Sequence, residues 1–359
     1  MRVVAKRYEE TWESILSRSI TSPLDLPEFL KPGKTEDLEK VARKYPMRIN
    51  PYYLRLIREK NDPFYKQAVP DLKELTDHRG FDDPLNEENL SPVPGLTHYY
   101  PDRVLLLVSS QCPMYCRFCN RKRKVGHPSM VTRETIKEGI AYIRKNREVR
   151  DVLLSGGDPL LLPDKELHRI LTELRSISHV EIIRIGTRVP CTLPQRITPE
   201  LASLLGGFHP LFINTHFNHP DEITGEAAVA CARLADAGIP LGCQTVLLKG
   251  VNDDERTILK LMQKLLTVRV RPYYLFQADL AKGTSHFWTP LKKGLDILSR
   301  LQGHTTGLCV PHFAVDLPGG GGKVNLVPPA IVEREGKTFI KNYLGKEYEW
   351  DTRRVNSEQ

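Results

Sequence analysis

Short apolar runs rich in β-branched residues alternate with amphipathic segments between about residues 100 and 310. The amphipathic segments space their apolar residues as a helix does, as in TRETIKEGIAYIRKNRE. Nearly continuous apolar strands separated by helices predict a parallel β-sheet covered by helices. Six strands are expected, at residues 103–110, 151–155, 180–187, 210–216, 240–248 and 270–277.

Six such units favour an α/β fold with a partial (βα)6 TIM-like barrel over a Rossmann sheet, and this choice locates the functional site. In a barrel, functional residues gather at the carboxyl ends of the strands. Here those ends are polar, rich in glycine or carry cysteine, as the barrel interpretation requires. They comprise Ser109–Cys112, Ser155–Asp158, Gly186–Arg188, Asn214–His216 and Gln277–Asp279.

The chain is predicted to have three parts. Residues 1–95 are polar and punctuated by proline, which indicates a helical N-terminal extension; residues 96–310 form the barrel, and residues 311–359 form a C-terminal segment that closes it. No apolar run approaches the roughly 20 residues that a membrane helix needs. The N-terminus also lacks the apolar core of a secretion signal. A cytoplasmic protein without membrane contact is therefore expected.

The formal net charge of the 359 residues is +8, which raises nucleic acid as a partner. Lysine and arginine are mixed with acidic residues, however, and no recognised nucleic-acid motif is present, so no nucleic-acid partner is predicted. The seven cysteines are an odd number in a chain without a secretion signal, which speaks against a disulfide framework. Cys231 and Cys243 lie in apolar surroundings and are predicted to pack in the core.

Three cysteines crowd into a loop directly after the first predicted barrel strand. They are Cys112, Cys116 and Cys119 in SSQCPMYCRFCNRKRKVG. Zinc sites usually take four ligands, commonly in paired C-x2-C spacings, and the sequence has no second pair. Three thiolates suit a cubane iron–sulfur cluster that leaves one iron free to bind a substrate or cofactor, and Phe118 would shield it from solvent. The spacing therefore predicts a [4Fe–4S] site.

A run of four glycines before Lys323, in VDLPGGGGK, forms the second conspicuous motif. Four consecutive glycines are costly in chain entropy and would be unusual in a passive loop. They do not form a phosphate-binding P-loop, because valine follows the lysine where that motif needs serine or threonine. A flexible glycine arm that ends in a lysine fits a Schiff-base lysine reaching for a carbonyl cofactor.

The cysteine loop resembles that of the radical S-adenosylmethionine superfamily, and its surroundings resemble the lysine 2,3-aminomutase family. The likeness runs from about residue 95 to the GGGGK segment near residue 323. It implies that S-adenosylmethionine chelates the free iron and that one electron from the reduced cluster cleaves it to a 5′-deoxyadenosyl radical. An electron donor such as flavodoxin or ferredoxin is implied as well.

The resemblance also assigns further residues to S-adenosylmethionine. The SGGDP segment after the second strand resembles the glycine-rich segment that meets the methionyl amino group; its residues are Ser155, Gly156, Gly157 and Asp158. Paired glycines let the backbone approach a ligand closely, although a tight turn would use them too. His216 and Gln244, at strand ends, are expected neighbours of the same cofactor, and core hydrogen bonding explains them almost equally well.

A pyridoxal phosphate site follows from the resemblance. The lysine of the glycine motif, Lys323 here, carries pyridoxal 5′-phosphate in the lysine 2,3-aminomutase family. Tyr100 and Arg103 match positions that contact this cofactor, whereas Tyr99 stands where a phosphate-binding arginine is usual. An α-amine held as an imine can move to a neighbouring radical carbon through a three-membered ring, which a free ammonium cannot do at low energy. The two cofactors together therefore imply a 2,3-amino shift.

The resemblance points to L-lysine as the substrate and β-lysine as the product. Arg121, two residues after the third cysteine, would hold the substrate carboxylate. Asp279 and Asp316 match the pair that holds the ε-ammonium in lysine-specific members, and glutamate-acting relatives lack this pair. Two anions at strand ends need a cation between them. Asp279 would also suit a helix N-cap.

Several alternatives stay open at this point. An aminomutase that makes β-lysine for elongation factor P, or one that acts on arginine or ornithine, would carry the same motifs. Rivals of another class are a zinc-binding nucleic-acid module and an ordinary pyridoxal enzyme with a vestigial cysteine loop. Clostridial-type aminomutases bind a structural zinc through a cysteine-rich tail; this chain ends in EYEWDTRRVNSEQ, so no structural zinc is expected and any homo-oligomer must be held by other contacts.

Overall fold

The computed structural model describes residues 10–31, 35–335 and 337–350. Its N-terminal part has short α-helices joined by loops: α1 (Trp12–Ser17), α2 (Thr35–Lys44), α3 (Pro51–Leu54) and α4 (Pro63–Ala68). The side chain of Asn50 accepts a hydrogen bond from Tyr53 N at the start of α3, and Asp62 caps α4 in the same way. These caps satisfy N–H groups that a helix start leaves unpaired, and the proline that follows each cap fits the first helical position.

A nine-stranded sheet holds the strands in chain order. Adjacent strands from β2 to β8 are all parallel, and the two edge strands β1 and β9 are antiparallel to their neighbours. The six predicted strands and the open, barrel-like α/β arrangement are confirmed. The strands are β1 (Leu96–Tyr100), β2 (Arg103–Ser109), β3 (Asp151–Gly156), β4 (Ile182–Gly186), β5 (Leu211–Thr215), β6 (Leu241–Leu247), β7 (Arg271–Gln277), β8 (His312–Leu317) and β9 (Gly322–Leu326).

The helices cover the outer face of the sheet. They are α5 (Arg133–Lys145), α6 (Asp164–Arg175), α7 (Val189–Thr192), α8 (Pro199–Gly206), α9 (Gly225–Asp236), α10 (Glu255–Thr267) and α11 (Leu291–Leu301). Each strand from β2 to β7 is followed by at least one of them, as the alternating pattern predicts. Within the described ranges, no helix has the length and apolarity needed to cross a membrane.

Alternate residues of the central strands have different surroundings. Val152 and Leu154 of β3 and Ile183 of β4 are fully buried in the core. Their neighbours along the strands, such as Leu153 and Arg184, line a cavity instead. Because side chains alternate across a strand, the parallel sheet packs one face on the helices and presents the other to this cavity.

The C-terminal segment contributes to two sheets. Strands β8 and β9 form a hairpin on the edge of the barrel sheet, which makes β8 a seventh parallel strand. Strands β10 (Ile331–Arg334), β11 (Lys337–Lys341) and β12 (Glu347–Trp350) form a separate antiparallel sheet. The expectation of no structural zinc rests in part on a tail beyond residue 350, which lies outside the described residues.

Candidate active site

A cavity of about 780 Å³ opens at the carboxyl ends of the parallel strands. Its size is in the range of small-molecule and cofactor sites. All the residues that the sequence analysis assigned to a site line this single cavity. They are Tyr100, Arg103, Cys112, Cys116, Cys119, Arg121, Ser155, Gly156, Gly157, Asp158, His216, Gln244, Asp279, Asp316 and Lys323.

The cysteine loop lies on the N-terminal extension. Asn50 Nδ2 donates to Pro113 O at 3.0 Å, and Arg48 Nη1 donates to Cys112 O at 3.2 Å. The backbone N–H of Arg117 donates to Gln67 O at 2.9 Å. These contacts fix the loop backbone between its cysteines. The extension therefore forms part of the support for the three thiols.

A buried group of charged side chains, Glu74, Arg117 and Lys122, also fixes the cysteine loop. The Glu74 carboxylate accepts hydrogen bonds from Arg117 Nη2 and from Lys122 Nζ, each at 2.6 Å. Burial alone would raise the pKa of Glu74, but the two cations outweigh it and hold the pKa at about 2. Burial lowers the pKa of Lys122 to about 8, against the attraction of Glu74. One buried carboxylate thus joins two cations of the cysteine loop.

The three thiols fit a metal cluster by their chemistry. All are free cysteines, partly exposed, on one loop that borders the cavity. Burial raises the pKa of the Cys119 thiol to about 11, and the neighbouring Cys116 adds to this. Metal coordination deprotonates such thiols outright. The donor set therefore suits a [4Fe–4S] cluster with three protein ligands.

The glycines of the SGGDP segment allow a close backbone crossing. A Cβ on Gly156 would lie 2.1 Å from Ser109 O, and a Cβ on Gly157 would lie 2.4 Å from Gln111 O. The Gly157 N–H donates to Ser109 O at 2.6 Å. The end of β3 therefore packs directly against the start of the cysteine loop. This contact explains the glycines structurally, and contact with S-adenosylmethionine stays a prediction.

Asp158 is fully engaged within the protein. Its carboxylate accepts hydrogen bonds from Thr187 Oγ1 at 2.7 Å and from Arg188 N at 2.8 Å, and it also caps the turn at Leu160. Burial raises its pKa to about 6. Asp158 thereby fixes the end of β4 beside the cysteine loop.

Arg188 was not assigned to the site from sequence, although it lies in one of the polar strand ends. Its Nη1 donates to Cys116 Sγ at 2.9 Å, and its Nη2 donates to Glu222 Oε1 at 2.8 Å and to Gln67 Oε1 at 2.6 Å. Its buried Nε has no acceptor among the described residues. An unsatisfied guanidinium N–H on the cavity wall fits an anionic ligand, such as the carboxylate of S-adenosylmethionine.

His216 and Gln244 also line the cavity. Burial, together with the charge of Arg188, lowers the pKa of His216 to about 3, so the imidazole is neutral. Its Nε2 lies 2.8 Å from Asn218 Oδ1 and donates to it. The ring is also in edge contact with Phe118 of the cysteine loop, at 5.6 Å between centroids. A neutral ring beside the loop suits stacking on an adenine better than binding a charge.

Lys323 and Asp316 form an ion pair on the wall of the same cavity. Lys323 Nζ lies 2.7 Å from both Asp316 oxygens and 3.9 Å from the centre of the Phe276 ring. Tyr100 Oη accepts a hydrogen bond from Lys323 N at 3.0 Å, and the Arg103 guanidinium lies 3.8 Å over the Tyr100 ring. An amine, aromatic surfaces and a partly exposed arginine together fit pyridoxal phosphate.

The glycine arm is an ordered hairpin turn. Gly319, Gly320 and Gly322 have φ angles of 70°, 84° and 82°, in the left-handed region that favours glycine. Gly319 N donates to Pro84 O at 3.0 Å, so the turn also rests on the N-terminal extension. The turn conformation itself therefore requires glycine, and flexibility of the arm stays a prediction.

Like Asp316, the other two residues expected to hold the substrate's charged ends, Asp279 and Arg121, are already in contact with other side chains. Asp279 Oδ2 accepts a hydrogen bond from Asn120 Nδ2 at 2.7 Å. Burial, together with the nearby Asp316, raises the pKa of Asp279 to about 7. Arg121 donates from Nε at 2.8 Å and from Nη2 at 2.6 Å to Glu87 Oε1, which leaves its Nη1 directed towards Ser155.

Glu87 was missed by the sequence analysis. Its carboxylate is buried, and although burial would raise its pKa, Arg121 and neighbouring cations hold the pKa at about 2. The available signal was the acidic NEENL segment, whose charge complements the basic run after the third cysteine. Arg121 therefore binds Glu87 through Nε and Nη2, and the end of the guanidinium that carries Nη1 remains for a carboxylate ligand.

Two family models match the chain: the Radical SAM superfamily over residues 106–262 and lysine-2,3-aminomutase over residues 298–349. An L-lysine 2,3-aminomutase of Methanococcus maripaludis is 52% identical over 341 residues, which cover 92% of this chain and 78% of that protein. For the Clostridium subterminale L-lysine 2,3-aminomutase the identity is 49% over 341 residues, covering 93% and 82%. A glutamate 2,3-aminomutase of Clostridioides difficile is 44% identical over 347 residues, covering 94% and 82%.

Proposed function

The chain belongs to the lysine 2,3-aminomutase family of radical S-adenosylmethionine enzymes, and we propose that it moves the α-amino group of L-lysine to the β-carbon to give β-lysine. Its cofactors are a [4Fe–4S] cluster, S-adenosylmethionine and pyridoxal 5′-phosphate. The cluster with S-adenosylmethionine supplies an organic radical, and pyridoxal phosphate supplies the π bond across which nitrogen can migrate. The zinc-binding nucleic-acid module considered from sequence finds no support in these matches.

The acidic pair Asp279 and Asp316 is the observation that carries the choice of lysine. Both carboxylates line one cavity with Lys323 and the cysteine loop. Their mutual repulsion raises the pKa of Asp279, in addition to the effect of burial, so the pair favours an added cation. A glutamate side chain would bring a third carboxylate to this place, whereas a lysine side chain brings an ammonium.

Arg121 supports the same orientation of the substrate. Its guanidinium is held from one side by Glu87, and its Nη1 is 3.4 Å from Ser155 Oγ on the cavity wall. We expect this free end to bind the α-carboxylate. The chain would then hold a carboxylate at the cysteine loop and an ammonium at the acidic pair.

The experiment is turnover of a panel of amino acids by the anaerobically reconstituted enzyme with reductant and S-adenosylmethionine. We expect conversion of lysine to β-lysine in preference to glutamate, arginine and ornithine. Asp279→Asn and Asp316→Asn should lower kcat/KM for lysine by about 10²-fold or more, the order of a lost charge-assisted contact. The exposed Asp296→Asn is the matched control and should match wild type.

The outcomes separate two kinds of error. Preferential turnover of glutamate, or unchanged lysine kinetics in Asp279→Asn, would overturn the choice of substrate and keep the reaction type. Loss of the cluster in Cys116→Ala without loss of β-lysine formation would refute the radical mechanism itself.

A further inference from the structure

Asp316 and Lys323 are paired by the register of the β8–β9 hairpin. The two residues lie directly opposite each other in the antiparallel ladder. The ammonium of Lys323 meets both carboxylate oxygens at 2.7 Å, and the Phe276 ring lies on another side of it at 3.9 Å. Since the backbone register brings the pair together, the carboxylate holds this ammonium in the protein without cofactor.

Covalent binding of pyridoxal phosphate by Lys323 would break its ion pair with Asp316. The Lys323 ammonium must first release a proton; its nitrogen then bonds to the aldehyde carbon, and the aldehyde oxygen leaves as water. The attached nitrogen retains at most one hydrogen. It can therefore no longer donate to both oxygens of Asp316, and the carboxylate loses at least part of its counter-ion.

We propose that Asp316 exchanges partners during loading of the enzyme: it holds the ammonium of Lys323 first and the side-chain ammonium of the substrate once Lys323 has captured the cofactor. This inference rests on the proposed function, because it takes lysine as the substrate. Capture of the cofactor then opens the subsite for the substrate's distal end. By linkage, occupation of Asp316 by a foreign ammonium must favour capture by the same factor.

Neighbouring residues make the exchange selective for a cation. Asp279 lies on the same cavity and interacts electrostatically with both Asp316 and Lys323. Asn120, directly after the third cysteine, fixes the Asp279 carboxylate at 2.7 Å. Two carboxylates held in place cannot remain ionised without a cation nearby. Release of the Lys323 ammonium therefore leaves a place that an alkylammonium fills.

The first test measures cofactor capture without turnover. Asp316→Asn removes the charge that retains the Lys323 ammonium, so the apparent Kd of pyridoxal phosphate, followed by the visible absorbance of the covalent adduct, should fall by about fivefold at constant pH, as expected for a partly exposed ion pair. Pyridoxamine phosphate has no aldehyde and cannot be captured; its Kd should stay the same. Asp296→Asn is the control variant. An unchanged or weaker affinity for pyridoxal phosphate, with unchanged affinity for pyridoxamine phosphate, would overturn the proposal.

The second test uses protein without pyridoxal phosphate and 6-aminohexanoate, which is lysine without its α-amine. Lys323→Ala frees Asp316, so calorimetry should show about fivefold tighter binding than in wild type, whereas Lys323→Arg keeps a cation and should not gain affinity. Equal affinities of wild type and Lys323→Ala would refute the exchange. If the proposed substrate is wrong, 6-aminohexanoate binds to none of the three, and the pyridoxal phosphate measurement still decides whether Asp316 retains Lys323.

Discussion

Replacement of Glu74 by glutamine is expected to destabilise the protein by about 3–5 kcal/mol, the usual cost of removing one partner from a buried ion pair. The Glu74 side chain is fully buried and lies 2.6 Å from both Arg117 Nη2 and Lys122 Nζ. Glutamine keeps the shape of the side chain but not its charge. Two buried cations would then lack their carboxylate.

The pKa of Glu74 gives a comparable magnitude. A carboxyl whose pKa falls from 4.5 to about 2 on folding stabilises the protein by about 3 kcal/mol. This stabilisation is fully present above pH 4.5 and is lost as the pH falls towards 2. The ionisation of Lys122 affects folding stability in the opposite direction, because burial lowers its pKa from 10.5 to about 8. Its charge destabilises the folded protein below pH 8, and this cost disappears as the pH rises from 8 to 10.5.

Urea unfolding at pH 7 of the protein without its cofactors, followed by circular dichroism, measures the effect. Glu74→Gln should show the full loss. In Lys122→Met, two carbonyls left without a donor cost about 1–2 kcal/mol, and removal of the buried charge offsets this cost, so the net effect should be well below that of Glu74→Gln. The double variant should recover about 1–3 kcal/mol relative to additivity, because one uncompensated cation is gone. Glu28→Gln, at an exposed glutamate, is the control. A loss below about 1 kcal/mol for Glu74→Gln, or strict additivity in the double variant, would refute the reasoning.

Three further predictions concern the substrate and the core. Glu87→Gln should raise the KM for lysine about tenfold, because Arg121 loses the carboxylate that orients it. Glu88→Gln, at the exposed neighbour, should leave the KM unchanged, and an unchanged KM in Glu87→Gln would contradict the prediction. The kcat/KM for lysine should rise with pH through about 7, as Asp279 loses its proton, and this step should disappear in Asp279→Asn. Gly294→Ala should cost about 1–3 kcal/mol in thermal unfolding, because its Cβ would lie 2.1 Å from a buried ring, whereas Gly225→Ala, with open space, should cost nothing.

Local patterns predicted the sheet well and its edges poorly. The six predicted strands have apolar runs that the core explains directly, as in Val152 and Leu154 of β3. Strand β8 buries only Phe313 and Ala314 among hydrophobic residues, because it lies near the edge of the sheet, so its run is too short to stand out. The separate sheet of residues 331–350 exposes large apolar residues such as Ile331 and Trp350 and gives no burial pattern to read.

The same limit applies to the candidate site: residues close together in sequence form recognisable motifs, whereas pairs of residues far apart in sequence do not. The cysteines and Lys323 follow from short motifs whose chemistry is contained in their spacing. Arg117 pairs with Glu74 across 43 positions, and Arg121 pairs with Glu87 across 34 positions. No spacing rule reaches so far, since such pairs are made by the fold. Sequence patterns therefore named candidate groups that line one cavity and missed the carboxylates that pair with their neighbours.

The N-terminal extension consequently supports the candidate site through ion pairs and hydrogen bonds. Glu74 and Glu87 neutralise cations of the cysteine loop, and Asp77 accepts the backbone N–H groups of Gly283, Thr284 and Ser285, just beyond Asp279. A basic loop without these carboxylates would repel itself and turn towards solvent. The predicted boundary near residue 95 thus marks a change in sequence composition. The cysteine loop, however, interacts with charged residues from both sides of this boundary.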